Sequence, residues 1–155
     1  MTIIFKCKTQ MKPEIKNRAE YSFLFPIQTR WADNDIYGHV NNVTYYSYFD
    51  TAANALLIQK TGFDIHHSPI IGLVVNSSCH FLAELTYPEI IEVGVAIANI
   101  GNSSLTYDLA IFKQGQQQAS AQGQFVHVFV ERETKKSTKI PQEMRDHLQP
   151  YLSDH

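Results

Sequence analysis

The sequence is poor in the features that staple, anchor or charge a chain. Its two cysteines, Cys7 and Cys79, lie far apart and no CxxC occurs. Neither a redox pair nor a zinc knuckle is indicated, and the reading is two reduced thiols. Thirteen basic residues against fifteen acidic ones leave a net charge of −2. A nucleic-acid footprint needs a clear basic excess, so no nucleic-acid partner is expected. The only early apolar run is Ile3-Ile4-Phe5, short of the roughly 7–15 apolar residues of a secretory signal. No stretch approaches the ~20 apolar residues of a membrane span. The expectation is a soluble, cytoplasmic protein without a membrane partner. HExxH, GxSxG, Walker and GxGxxG patterns are missing, so nothing points to a metalloprotease, an α/β-hydrolase or a nucleotide loop. Internal repeats and low-complexity tracts are missing too.

What is present is globular: 155 residues, 44% hydrophobic and 18% charged. That length fits one domain able to bury roughly two-thirds of its unfolded surface. Residues 1–20 carry mixed charge and no period, which predicts a loosely held arm ahead of a single domain over 21–152. Residues 21–31 alternate, placing Tyr21, Phe23, Phe25, Ile27, Thr29 and Trp31 on one strand face, and Pro26 points to a sheet edge or a bulge. A helix is predicted from about Asn42 to about Thr61. Phe49, Ala52, Ala53 and Leu56 recur at helical spacing, Asn41 or Asn42 can cap the start, and Gly62 can end it. From Ile70 the period becomes two. Strands are predicted over 70–82 (bent near 76–78), around 91–97, around 105–111 and over 119–131, with turns at 100–104 and 113–117. A short helix follows Pro141. One helix against an antiparallel sheet is an α+β fold.

Most of the polar chemistry gathers where the first strand gives way to the helix, in WADNDIYGHVNN (31–42). A helix start presents unpaired N–H groups and partial positive charge, which can polarise a carbonyl. Asp35 lies a few residues upstream. A carboxylate beside a polarised carbonyl is either a nucleophile or a general base for water. His39, Asn41 or Asn42 can orient it or the substrate, and Gly38 permits a sharp turn or a close approach. The same letters also serve loops and caps. His66-His67 are neighbours without a metal-binding pattern. Cys79-His80 point to opposite strand faces, so they do not form a thiol–imidazole pair.

The run RWADNDIYGHVNNVTYYSYFDTAAN, with Asp-x-x-Gly-His-Val-Asn-Asn-x-x-Tyr from Asp35 to Tyr45, resembles the signature of hotdog-fold acyl-CoA thioesterases of the 4-hydroxybenzoyl-CoA thioesterase type. The resemblance extends from about residue 21 to 130. It implies a five-stranded sheet wrapped around the long helix, a homodimer formed edge to edge, and an acyl-CoA substrate with no separate cofactor. A dimer of dimers, a homotetramer, is left open by the resemblance. It implies catalysis by Asp35, with backbone N–H groups near Val40, Asn41 and Asn42 on the thioester carbonyl. His39 matches the histidine of the plant-type motif in a supporting role. Tyr37 stands where that motif often has Asn, which weakens a plant-like triad. Tyr37, Gly38, Val40 and Asn41 would line the substrate. Asp50 falls at the family's helix carboxylate, as an orienter or as a buried, paired acid. Asn76 falls where relatives often carry Glu. Ser103 and Ser104, beside Gly101, fall where the family places groups near pantetheine or nucleotide. Two further readings stay open: a hotdog hydratase or dehydratase, although its Asn-Pro-x-His context is missing, and a non-catalytic acyl-CoA-binding module.

Overall fold

A computed structural model of the chain describes residues 13–154. Its elements are β1 (Phe23–Gln28), α1 (Asn42–Thr61), β2 (Ile70–Phe81), β3 (Ile90–Ile100), β4 (Ser104–Lys113), β5 (Ala121–Glu131) and α2 (Gln142–Leu148). The helix begins as expected. Asn41 is its N-cap, its side chain accepting the Val43 N–H, and Gly62 ends it at φ 68°, a left-handed conformation that costs glycine little.

The five strands form one antiparallel sheet in the order β1-β3-β4-β5-β2. Pro26 sits on an edge strand, opposite Glu92, where a missing ladder donor is tolerated. Alternation puts Ile91, Val93, Val95 and Ile97 of β3 with Leu105, Tyr107, Leu109 and Ile111 of β4 on one face, all fully buried. Against them α1 packs Phe49, Ala52, Ala53 and Leu56, also fully buried. The paired alanines let the helix axis approach the sheet closely. Ser47, Asp50 and Thr51 face solvent. This is the hotdog arrangement. No helix among the described residues is long and apolar enough to cross a membrane.

Three expectations need correction. Tyr21 does not share the inner face with Phe23. A 3-10 turn at Arg18–Glu20 resets the phase ahead of β1, and Tyr21 packs with Ala96, Ala110, Phe112 and Ala119 on the outer face of the sheet. Trp31 is not on a strand. It opens a 3-10 turn and is 82% exposed. The irregularity in β2 falls between Val74 and Asn76, so Val75 is the extra residue, just before the predicted bend.

Residues 13–20 also depart from the loose arm predicted for them. They lie on the outer face as a strap. The Lys16 N–H donates to Gln122 Oε1 at 2.9 Å, and Gln122 Nε2 donates back to the Glu14 carbonyl at 2.8 Å. Ala119 N–H donates to the Lys16 carbonyl, and Arg18 clasps both oxygens of Glu92 at 2.7 and 2.9 Å. The rest of the predicted arm, with Cys7, lies outside the described residues. Cys79 is a free, half-buried thiol whose pKa burial pushes up to about 11, the opposite of an activated nucleophile.

At the β5–β2 contact the two backbones touch. A Cβ built on Gly123 would sit 1.9 Å from the Ser78 carbonyl oxygen. Gly123→Ala is expected to push β2 off β5 and lower stability by at least about 1–3 kcal/mol, read as a fall in the urea midpoint.

Candidate active site

The loop between β1 and α1 is built on Asp33, which is 2% exposed. Its Oδ1 accepts from Arg30 Nε and Nη2 at 3.0 and 2.8 Å. Its Oδ2 accepts the Arg30 N–H at 2.8 Å and the Tyr48 hydroxyl at 2.7 Å. Its carbonyl accepts the Asn41 N–H at 2.8 Å. Burial alone would raise the Asp33 pKa. The Arg30 guanidinium, the Tyr48 hydroxyl and the Arg30 N–H together outweigh it and hold the carboxyl below its usual range. Burial, with the neighbouring Asp33 carboxylate, drives the Tyr48 hydroxyl well above its usual value.

From this anchor the chain makes a tight turn. The Asp35 N–H donates to the His39 carbonyl at 2.9 Å and the Gly38 N–H to the Asp35 carbonyl at 3.2 Å. Gly38 takes φ 85° here, a conformation that strains other residues. The turn is then fastened to residues 82–86, beyond β2. Val40 N–H donates to the Leu85 carbonyl at 2.8 Å. Thr86 Oγ1 donates to the Gly38 carbonyl at 2.9 Å, and Asn34 Nδ2 donates to Thr86 Oγ1 at 3.2 Å. Leu85, fully buried, fixes that segment to the core.

Between the two segments lies an open cavity of about 410 Å³, lined by Asp35, Tyr37, His39, Val40, Asn42 and Tyr45 on one side and by Phe81 to Glu84 on the other. Asp35 Oδ1 accepts the Tyr37 N–H at 2.8 Å. Oδ2 has no hydrogen bond from a described residue.

The N–H groups at the helix start are not equivalent. That of Val40 is held by Leu85, that of Asn41 by Asp33, that of Val43 by the Asn41 side chain, and that of Thr44 by the Asn41 carbonyl. Among the described residues the Asn42 N–H has no acceptor. Of the N–H groups near Val40, Asn41 and Asn42 that were expected to face a thioester, those of Val40 and Asn41 are taken within the chain. Asn41 itself is a cap.

The remaining predicted residues do not join this group within one chain. Asp50 lies eight residues along α1, roughly 12 Å from Asn42. It is exposed and accepts from Asn54 Nδ2 at 3.2 Å, so the buried, paired acid is corrected. Asn76 is exposed and opposes Val126. Its neighbour Ser77 opposes Phe125, which packs on α1, so Asn76 faces away from the helix. Ser103 and Ser104 adjoin the β3–β4 turn, at the far end of the sheet: Ser104 opposes Val128, whereas the cavity adjoins Phe81, which opposes Ala121.

Three contributors were not foreseen. Asp33 reads as one more loop acid, although Arg30 three residues before it was an available signal. Glu84 and Thr86 lie more than forty positions from the motif, and nothing local marks them. His39 Nε2 stands 2.9 Å from Glu84 Oε2. Elsewhere, a cavity of about 380 Å³ on the outer face is lined by groups already paired with one another, Lys16 with Asp108 at 3.1 Å and the Tyr21 hydroxyl donating to Asp108 at 3.3 Å. On the inner face, buried His127 has its pKa lowered by burial, partly opposed by Asp50, and its Nδ1 lies 3.2 Å from the Tyr107 hydroxyl.

An antiparallel five-stranded sheet wrapped around one long helix defines a hotdog-type protein. The chain belongs to the Thioesterase-like superfamily, whose family model matches residues 29–148. It is similar to the crystal structure of the PA5185 protein from Pseudomonas aeruginosa strain PAO1, with 52% identity, a TM-score of 0.89, and coverage of 91% of this chain and 99% of that one. Slr0204 from Synechocystis, a 1,4-dihydroxy-2-naphthoyl-CoA thioesterase, shares the fold at TM-score 0.73 and 18% identity, covering 81% of this chain and 94% of that one. YsmA of Bacillus subtilis (strain 168), an uncharacterised protein, is 26% identical over 89 residues, which cover 57% of this chain and 60% of YsmA.

The Asp33 pairing has a pH consequence. Its folded pKa is depressed, so its stabilisation is full above the unfolded value near ~3.9 and is lost as pH falls through the folded value. Asp33→Asn is expected to lose stability at pH 7 and to flatten the wild-type decline below about pH 4, measured by urea unfolding across pH 2–7.

Proposed function

We propose that the protein is an acyl-CoA thioesterase that hydrolyses an acyl-CoA to the free acid and CoA. The observation that carries this reading is the shared cavity of Asp35 Oδ2 and the unpartnered Asn42 N–H. The N–H, at the positive end of a 20-residue helix, donates to the thioester carbonyl oxygen and strengthens that bond as the oxygen becomes an oxyanion. Asp35, its Oδ1 fixed by the Tyr37 N–H, brings Oδ2 to the same carbonyl carbon, as a nucleophile or as the base for a water. Gly38 and Tyr37 border the substrate, His39 supports the chemistry, and CoA is part of the substrate rather than a cofactor.

A homodimer completes this reading. β2 is an edge strand carrying Leu73, Val74 and Val75 at 41%, 46% and 60% exposure, an apolar edge that an isolated chain leaves uncovered. Antiparallel pairing of two β2 edges reverses one sheet relative to the other. It carries the partner's β3–β4 turn, with its copies of Ser103 and Ser104, toward the end of the sheet that holds Asp35. Those serines then serve the CoA portion across the interface.

The test is free-thiol release across short-chain, long-chain and aromatic acyl-CoAs, with wild type and Asp35→Asn side by side. Wild type is expected to release thiol from at least one class. Asp35→Asn is expected to lose about 100-fold or more in kcat with unchanged circular dichroism. A variant that hydrolyses at the wild-type rate would overturn the assignment.

A further inference from the structure

We infer that Glu84 is a positioning residue for His39, and that the two form a base that takes a proton from the hydrolytic water. The inference rests on the thioesterase reading. Two partly exposed side chains 2.9 Å apart, at 42% and 74% exposure, normally contribute little, because each must surrender its own freedom to meet. Here the backbones have already met. His39 lies between Gly38, whose carbonyl accepts the Thr86 hydroxyl, and Val40, whose N–H donates to Leu85. Leu85 and Thr86 directly follow Glu84. The two side chains therefore project from segments whose separation is already set, and the pair has less entropy to lose.

Positioning by Glu84 entails one tautomer: an ionised carboxylate only accepts, so a hydrogen bond across this 2.9 Å contact requires the hydrogen on His39 Nε2. In the neutral ring the lone pair then resides on Nδ1. His39 lines the cavity that holds Asp35, and Nδ1 has no hydrogen bond from the described residues. One site thus offers two groups with different tasks. Asp35 Oδ2 bonds to the acyl carbon, the carbon–sulfur bond breaks, and its electron pair leaves on the CoA thiolate. A water oxygen then bonds to the same carbon while its proton passes to His39 Nδ1. The bond from that carbon to Asp35 breaks, restoring the carboxylate, and the imidazolium returns the proton to the thiolate. Glu84 steadies the imidazolium while it lasts and touches no reacting atom.

Two measurements on the full chain test this. Long-range proton–nitrogen NMR, with the ring assigned by comparison with His39→Gln, is expected to show neutral His39 as the Nε2–H form in wild type and as a mixture in Glu84→Ala. A mixture already in wild type would overturn the positioning role whatever the activity. In thiol-release assays Glu84→Ala is expected to lower kcat by about 10–100-fold with KM nearly unchanged. Glu84→Gln, which keeps an acceptor, is expected to recover most of the loss. In a His39→Ala background Glu84→Ala is expected to cost nothing further, because it acts through the ring. Thiol release that Asp35→Asn abolishes but Glu84→Ala leaves intact sinks the positioning role alone. A wild type that releases thiol from no acyl-CoA sinks the thioesterase reading, and the proton transfer falls with it.

Discussion

A carboxylate removed from water has to be surrounded by donors, and around Asp33 those donors come from the parts of the chain that frame the cavity at the helix start. Arg30 belongs to the exit from β1, Tyr48 to the second turn of α1, and Asn41 to the helix cap. Satisfying one buried acid thus fixes the strand exit, the helix face and the helix start relative to one another. The depth of the Asp35 turn and the direction of the Asn42 N–H follow from that. A partner lost from this cluster leaves a buried charge or hydroxyl unpaired, which is costly well beyond the worth of one ordinary hydrogen bond.

The second constraint is the fastening of the 34–40 turn to residues 82–86. Loops that carry chemistry are usually mobile, and precision in a site requires that its supports be rigid. Here the support is a set of backbone carbonyls of one segment taken by donors of the other. It has a selective effect on the helix start. By consuming the N–H groups of Val40 and Asn41, the fold leaves the Asn42 N–H as the unpaired donor at the helix start among the described residues.

Much of the architecture was legible because it is periodic. The inner-face residues of β3 and β4 alternate without interruption, and α1 combines helical spacing with a cap and a terminal glycine that each act locally. The Asp35 motif was legible for the same reason, since its parts are adjacent in the chain. What was hidden is non-local or turns on phase. Tyr21 keeps the alternation in the letters, but a 3-10 turn before β1 sends it to the other face. Asp33 and Asp35 are the same letter two positions apart, and only burial separates the anchor from the acid that lines the open cavity. Glu84 sits in a segment whose residues carry no motif, and its meeting with His39 depends on the path of the sheet between them. Asp50 was read through the family resemblance as an orienter or a buried, paired acid, whereas it lies exposed with Ser47 and Thr51 on the polar stripe of α1.

The strap of residues 13–20 has a consequence for the order in which this chain assembles. Its partners are distant: Lys16 and Gln122 are 106 positions apart, and Arg18 reaches Glu92 across 74. A contact that closes so long a loop gains nothing until β3, β4 and β5 are already side by side. The strap is therefore expected to form late, and interactions formed after the transition state slow unfolding while leaving the folding rate almost untouched. Its role is that of a latch, setting how long the folded molecule survives rather than how quickly it forms.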